Sequence, residues 1–331
     1  MLVSNGLRLL LFYTAFFSLA VFAGGFTSEN IRLSFDSSAR ISHNPDGNHN
    51  AGVYALGLDL HKVFSNDSGD IGTLVFQPYF TRLDNVATPA FFFDDGNDLE
   101  LIWRIANFNY KVLNNGRLNL KIGHFELPFG LEQNLDTNGT LRQYTFSDRG
   151  LKADWGFSVN GSGKLLDYEL AFTRGSGNQI KDSGNPYIFS GRLGKPSHHN
   201  FIFGGSWLYG EVLGKSGTVR REKLGLDMAY YYHQYEWLFE LSAGSNDRQK
   251  TRNVLTEVSW RDASEQFHGY VQFMRQAIRS DRWQFAQNWI LGGRWLPDNY
   301  WDLSVQYAYQ DNNISPKKDT KLLTAQIRYR F

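Results

Sequence analysis

LTAQIRYRF, residues 323–331, alternates without a break. Leu323, Ala325, Ile327, Tyr329 and Phe331 fall on one side and Thr324, Gln326, Arg328 and Arg330 on the other. A pleated strand points successive side chains to opposite faces, so this stretch reads as a strand with one apolar and one polar face. The same period of two recurs upstream. Trp301, Leu303, Val305 and Tyr307 alternate with Asp302, Ser304 and Gln306, and Trp289, Leu291 and Trp295 with Asn288 and Arg294. Leu224, Leu226, Met228, Tyr230 and Tyr232 oppose Lys223 and Asp227, and Leu166, Tyr168, Leu170 and Phe172 oppose Asp167 and Glu169.

Alternation alone does not separate a water-soluble sandwich from a barrel in a bilayer. Two features favour the barrel. Trp, Tyr and Phe gather toward the ends of the apolar faces, where lipid-interface girdles sit, and the opposite faces carry charges of both signs with Gly, Ser and Gln, as a wet interior would. A mean hydropathy of −0.41 fits strands that each carry one polar face.

About sixteen strands are expected, an even number as single-chain bacterial barrels have. Their spans are 30–42, 51–63, 70–82, 98–111, 117–127, 151–160, 165–174 and 186–194. They continue with 200–210, 221–233, 235–244, 250–262, 265–276, 281–296, 299–310 and 320–331. Connections after even strands are tight and rich in turn residues (65–70, 114–116, 160–164, 297–299). Those after odd strands are mostly longer: 43–50, 83–97, 128–150, 175–185, 211–220 and 311–319. Short turns at one end and long loops at the other is the outer-membrane pattern, with both chain ends on the short-turn side.

Residues 1–23 read as a secretory signal. Arg8 precedes an apolar run, with Val21 and Ala23 at small-residue cleavage positions, and the run is short for a bilayer span. Residues 24–331 then form the barrel. The chain has no Cys, so no disulfide or Cys-based metal or haem chemistry is open to it. A net charge of +1 argues against nucleic acid as a partner.

One stretch breaks the rhythm. After IGHFELPFGLE (122–132) the chain runs to about residue 150 with neither strand nor helix period, although Leu131, Leu135, Leu141, Tyr144 and Phe146 keep it apolar enough to pack. The expectation is a third outer loop, 128–150, that folds inward and constricts the pore.

The signal, the strand count and the terminal aromatic resemble a Gram-negative outer-membrane porin. Gly123-His124-Phe125-Glu126-Leu127-Pro128-Phe129-Gly130-Leu131-Glu132 is similar to the G-x-F-x-x-P-F-G-L-E stretch of the phosphate-selective porin O/P family, where it closes the fifth strand and leads into the third loop. The resemblance implies a water-filled channel in the cell outer membrane for passive diffusion of small hydrophilic or ionic solutes, including anions such as phosphate. It implies outer-membrane lipid, the barrel-assembly machinery and a homotrimer as partners, no cofactor, and Phe331 as the assembly signal.

Pores of this kind sort solutes by crossed charges at a narrow point. The candidates are Glu132, Asp136, Arg142, Asp148 and Arg149 on the loop, with Lys152, Lys121, Arg104, Arg294, Arg328 and Arg330 on the wall. Asp154, Asp167, Glu169, Glu240 and Asp302 share the polar faces and weigh against phosphate selectivity. Asp148-Arg149-Gly150 reads as a turn returning the chain to strand six. No local motif joins His124, His233 or His268 to Ser242 or Ser259 as a hydrolase would need, and His49, His61, His198 and His199 read as scattered surface residues, so neither an enzyme nor a metal site is expected. The alternative function is a sleeve around a partner such as a multihaem cytochrome, which a loop in the lumen would obstruct.

Overall fold

The computed structural model describes residues 27–28, 30–47, 49–85, 99–113, 115–133, 135, 139–180, 183–214, 217–314 and 319–331. The expected signal, 1–23, lies outside the described residues. Sixteen long strands form one antiparallel sheet that closes on itself. They are β1 (Ile31–Asn44), β2 (His49–Asn66), β3 (Gly69–Asp84), β4 (Leu99–Lys111), β5 (Asn119–Glu126), β6 (Ala153–Ser162), β7 (Asp167–Thr173) and β8 (Tyr187–Gly194). The second half is β9 (Phe201–Gly214), β10 (Gly217–Tyr232), β11 (Tyr235–Asn246), β12 (Gln249–Arg261), β13 (Phe267–Arg279), β14 (Trp283–Trp295), β15 (Trp301–Asn312) and β16 (Thr320–Arg330). Each strand pairs with its neighbours in sequence, and β16 closes on β1 with Ile327 opposite Ala39 and Arg330 opposite Asp36. The two-residue strand Thr27–Ser28 pairs back onto the start of β1.

The alternation sorts as expected. Leu224 is 70 % exposed, Leu226 64 % and Leu291 62 %, whereas Lys223, Asp227, Glu240 and Glu257 on the opposite faces are buried. A soluble fold would reverse this, and only a bilayer makes an apolar exterior around a charged interior favourable. Aromatic side chains line the short-turn end of the exterior. Phe267 stacks on Trp295 at 5.9 Å between ring centroids, Trp301 sits 4.7 Å from Tyr329, and Tyr230 stacks on Tyr232 at 6.4 Å.

The interior is not uniformly polar, and this departs from the sequence reading. Ile202, Ala229, Leu238, Leu255, Tyr270, Met274 and Ile290 lie on the buried face of β9–β14 and form one apolar sector there.

The loop lengths also differ. Residues 211–220, expected as a long loop, are the ends of β9 and β10 with only 215–216 between them. Gly214 and Gly217 pair across this connection, and Gly217 has φ +124°, a backbone conformation that glycine adopts without steric cost. The connections at 247–248 and 280–282 are similarly tight. Most of the expected loop 83–97 lies outside the described residues. Within β3, Pro78 sits at a register shift between Gln77 and Pro78, where no ladder donor is required.

Phe331 continues the seam beyond β16. Its N–H donates to the Phe35 carbonyl at 3.1 Å and its carbonyl accepts the Phe35 N–H at 2.8 Å, while its ring lies 5.4 Å from both Phe35 and Tyr329. Deleting Phe331 removes the last rung of the closing pair and is expected to lower the fraction of protein in the folded, heat-modifiable form on gels. An unchanged fraction would show that the seam closes without it. Leu291→Arg, on the exposed face, is expected to cost about 2–4 kcal/mol if it lies near mid-bilayer, and Gln306→Arg, which lines the interior, much less. Urea midpoints of the two variants in lipid, compared with the parent, check this.

Candidate functional site

The 26 residues between β5 and β6, 127–152, hold two short 3₁₀ turns, Gly130–Gln133 and Ser147–Arg149. Two apolar clusters seat the segment. Leu127, Phe129 and Leu151 pack with Ile188, Leu208 and Val212 of β8 and β9. Leu131, Tyr144 and Phe146 pack on the apolar sector of β9–β14, with Leu135 partly buried against them.

Glycine makes the first contact feasible. Gly130 has φ +66°, and a Cβ there would meet Glu240 Oε2 at 2.1 Å. Its bare N–H instead donates to Ser206 Oγ at 2.9 Å, and the next one, from Leu131, donates to Glu240 Oε2 at 2.9 Å. The PFG stretch thus lays backbone donors against a wall carboxylate.

The candidate charges separate into groups. Arg149 and Glu132 are both buried and pair within the segment, Arg149 Nη2 donating to Glu132 Oε2 at 2.6 Å and Nη1 to the Phe129 carbonyl at 3.0 Å. Lys152 joins them, 3.3 Å from Glu132 Oε1 and 3.7 Å from Glu126, and Glu126 also lies 3.9 Å from Arg104. Arg104 donates to Gln77 Oε1 at 2.5 Å. These four candidates therefore gather at the base of the segment. With exposures of 3–7 %, they offer almost no surface to a solute.

Arg142 reaches elsewhere. Its Nε donates to Glu257 Oε1 at 2.8 Å and its Nη2 to Glu236 Oε2 at 3.0 Å, while the guanidinium lies over the rings of Tyr144 and Tyr270. Burial works against its charge, but Tyr144, Glu257 and Glu236 outweigh it and raise its pKa. The remaining wall candidates are spread out. Lys121 donates to Glu169 at 2.8 Å, Arg294 to Asp302 at 2.8 Å, Arg328 to Asp36 at 2.8 Å, and Arg330 pairs with Asp59. Asp136 lies outside the described residues.

The sequence reading missed three features. Asp148, read there as part of a turn, is also a buried anchor, accepting from Lys223 Nζ at 2.7 Å and Asn253 Nδ2 at 2.9 Å. Burial pushes its carboxyl up, yet Lys223 and its hydrogen bonds hold it below the usual carboxylate range. Arg192 and Asp227 form a second wall pair, at 3.0 Å. Arg40 was not singled out at all. Its Nε and Nη2 donate to Gln326 Oε1 at 3.1 and 2.9 Å, and Nη2 also donates to the Thr140 carbonyl at 3.2 Å. Gln326 Nε2 in turn donates to the Gly139 carbonyl at 2.5 Å, tying residues 139–140 to β1 and β16. Each of these could be found only through pairing between distant strands.

Neither a family model nor a curated protein matches the chain. Solved structures do. The anion-selective porin from Comamonas acidovorans is similar at 11 % identity and TM-score 0.67, covering 91 % of this chain and 99 % of that one. Salmonella typhi OmpF, solved with daunomycin, is similar at 12 % identity and TM-score 0.68, covering 91 % and 98 %. The outer membrane channel DcaP of Acinetobacter baumannii is similar at 12 % identity and TM-score 0.63, covering 93 % and 100 %. The fold is that of an outer-membrane porin.

Gly130→Ala is expected to dislodge the start of the segment, since the added methyl collides with the carboxylate that receives the Leu131 N–H. Limited proteolysis of the folded barrel should then cut between 130 and 150 at least several-fold faster than in the parent, with the barrel intact by heat modifiability. An unchanged cutting rate would mean that Glu240 swings away without loss.

Proposed function

We propose that the chain is an outer-membrane channel for passive diffusion of small hydrophilic solutes, with residues 127–152 folded into the lumen as its constriction. The observation that carries this reading is the reach of the segment. It leaves β5 and is bonded to the buried faces of β9, β11, β12 and β13, then of β16 and β1 on another side of the ring. Bonds to the buried face of so many strands of a closed sheet support a place for the segment inside the barrel. The porin fold of its structural neighbours supports the same reading.

The charges bear on selectivity. Most of the candidate cations sit beside a carboxylate, so their fields cancel at short range and a strong preference for one sign of ion is not expected from them. Arg40, bonded to neutral acceptors, tips the balance toward anions, phosphate among them. This agrees with the ten-residue resemblance to the O/P family and asks less of it than a dedicated phosphate site would. A sleeve around a partner protein is the weaker reading, because two apolar clusters and the ion pairs would have to be undone to clear the lumen. We further propose export through a signal at 1–23, insertion by the barrel-assembly machinery, and a homotrimer. OmpT of Vibrio cholerae, another barrel of similar fold, was solved in a trimer form.

Removing residues 134–144 tests the function. In planar bilayers the deletion should raise single-channel conductance and flatten ion selectivity while the barrel remains heat-modifiable. Arg142→Glu should shift reversal potentials toward cation preference, less so at molar salt where the Debye length is only about 3 Å. A deletion with parental conductance would place the segment outside the conducting path.

A further inference from the structure

A cavity of about 720 Å³ opens on one side of the segment, between residues 141–147 and the upper parts of β1, β2 and β13–β16. That volume falls within the roughly 300–1,000 Å³ typical of small-molecule sites. Its lining divides by chemistry. One part is apolar, with Leu141, Phe146 and Met274. The rest is mostly neutral and polar, dominated by the carboxamides of Gln276, Asn288, Gln306 and Gln310. No Asp or Glu lines it among the described residues.

The polar groups are already oriented. The carbonyl oxygen of Gln306 accepts from Tyr270 Oη at 2.8 Å, that of Gln276 from Ser147 Oγ at 3.3 Å, and that of Gln310 from Thr320 Oγ1 at 3.3 Å. With their oxygens occupied, the three amide nitrogens have no bond to another described residue and remain as donors. Asn288 also lines the cavity, its Oδ1 buried and without a partner among the described residues. Arg40, which also lines the cavity, is held along its Nε–Nη2 edge by Gln326 and Thr140, and its Nη1 has no partner among the described residues. The cavity therefore presents one fixed cationic donor, Arg40, a second cation, Lys321, which is shared with Asp46 at 3.4 Å, several neutral donors and an apolar wall.

We propose that this cavity is a binding site for a sugar acid, a ring of hydroxyls carrying one carboxylate. Arg40 Nη1 receives the carboxylate, and the amides meet the hydroxyls. The C–H face of the ring packs on Phe146, Leu141 and Met274. An inorganic phosphate would leave the apolar wall and most amides unused, and a neutral sugar would leave Arg40 unmatched. Arg40, the amides and the apolar wall find counterparts together only when ring, hydroxyls and carboxylate are joined.

The inference rests on the channel reading for access to the cavity, and two measurements on the full chain separate them. Galacturonate, galactose, acetate and inorganic phosphate are titrated calorimetrically into the protein in detergent micelles, and the same solutes are added to potassium chloride current in planar bilayers. Galacturonate is expected to bind saturably and to reduce the current over the same concentration range, at least tenfold more tightly than galactose or acetate. Arg40→Gln is expected to weaken galacturonate by roughly tenfold or more, the size of a charge-assisted hydrogen bond, and to leave galactose unchanged. Galacturonate binding no better than galactose, or phosphate binding as well as galacturonate, overturns the site whether or not the variant folds. Conductance without binding defeats the site and leaves the channel standing, whereas binding without conductance does the reverse.

Discussion

A strand inside a bilayer has no water to satisfy its backbone, so no edge can be left open. The pairing of β16 with β1 therefore comes before everything else in this molecule, since without it two rows of backbone groups would face lipid. Closure also sets the chemistry of the two faces. The outer face solvates itself with hydrocarbon and needs only apolar side chains and an aromatic rim. The inner face is enclosed and carries most of the charge, and its charges must find partners there.

Those partners are found across strands. Lys121 with Glu169, Arg192 with Asp227, Arg294 with Asp302, Arg328 with Asp36 and Arg330 with Asp59 each place a cation of one strand beside a carboxylate of a neighbouring or nearby strand. A buried ion stripped of its partner is costly, several kcal/mol by the usual range, so these pairs fix the wall residues in place and quiet their fields together. The segment after β5 follows the same rule. Glu132, Arg149 and Lys152 neutralise one another at its base, Asp148 settles on Lys223, and Arg142 settles on two glutamates. The apolar sector on β9–β14 adds burial that the ion pairs alone lack, because paired buried charges contribute little net stability while apolar contact contributes about 25 cal/mol per Å².

What could be read from the sequence was what repeats. A period of two over ten residues is redundant, so a misplaced residue does not hide the face, and Leu323 to Phe331 or Trp301 to Tyr307 declare theirs. Closure and strand count followed from the number of such runs. The short connection between β9 and β10 was illegible because Gly214 and Gly217 resemble loop glycines until their pairing is known. The apolar sector was illegible for a related reason. A single Leu238 between Glu236 and Glu240 looks like noise on a polar face, and only the ring brings it beside Leu255 and Ala229. The anchor at Asp148 and the bonds of Arg40 depend on residues roughly 75 to more than 280 positions away, which no local pattern contains.

This pairing rule changes which residues can discriminate between solutes. A charge locked to a counter-charge presents a dipole, whose field fades faster with distance than that of a lone charge, so the numerous arginines of the wall count for less than their tally implies. The groups that matter are those whose orientation is fixed by neutral neighbours, because they keep their full charge and their free donors. Gln326 holds Arg40 in this way, with its oxygen on the guanidinium and its nitrogen on the Gly139 carbonyl. One glutamine thereby links the charge of β1 to the segment after β5, and any movement of that segment must also move the cation. On the channel reading, the position of the segment and the electrostatics of the opening are a single degree of freedom.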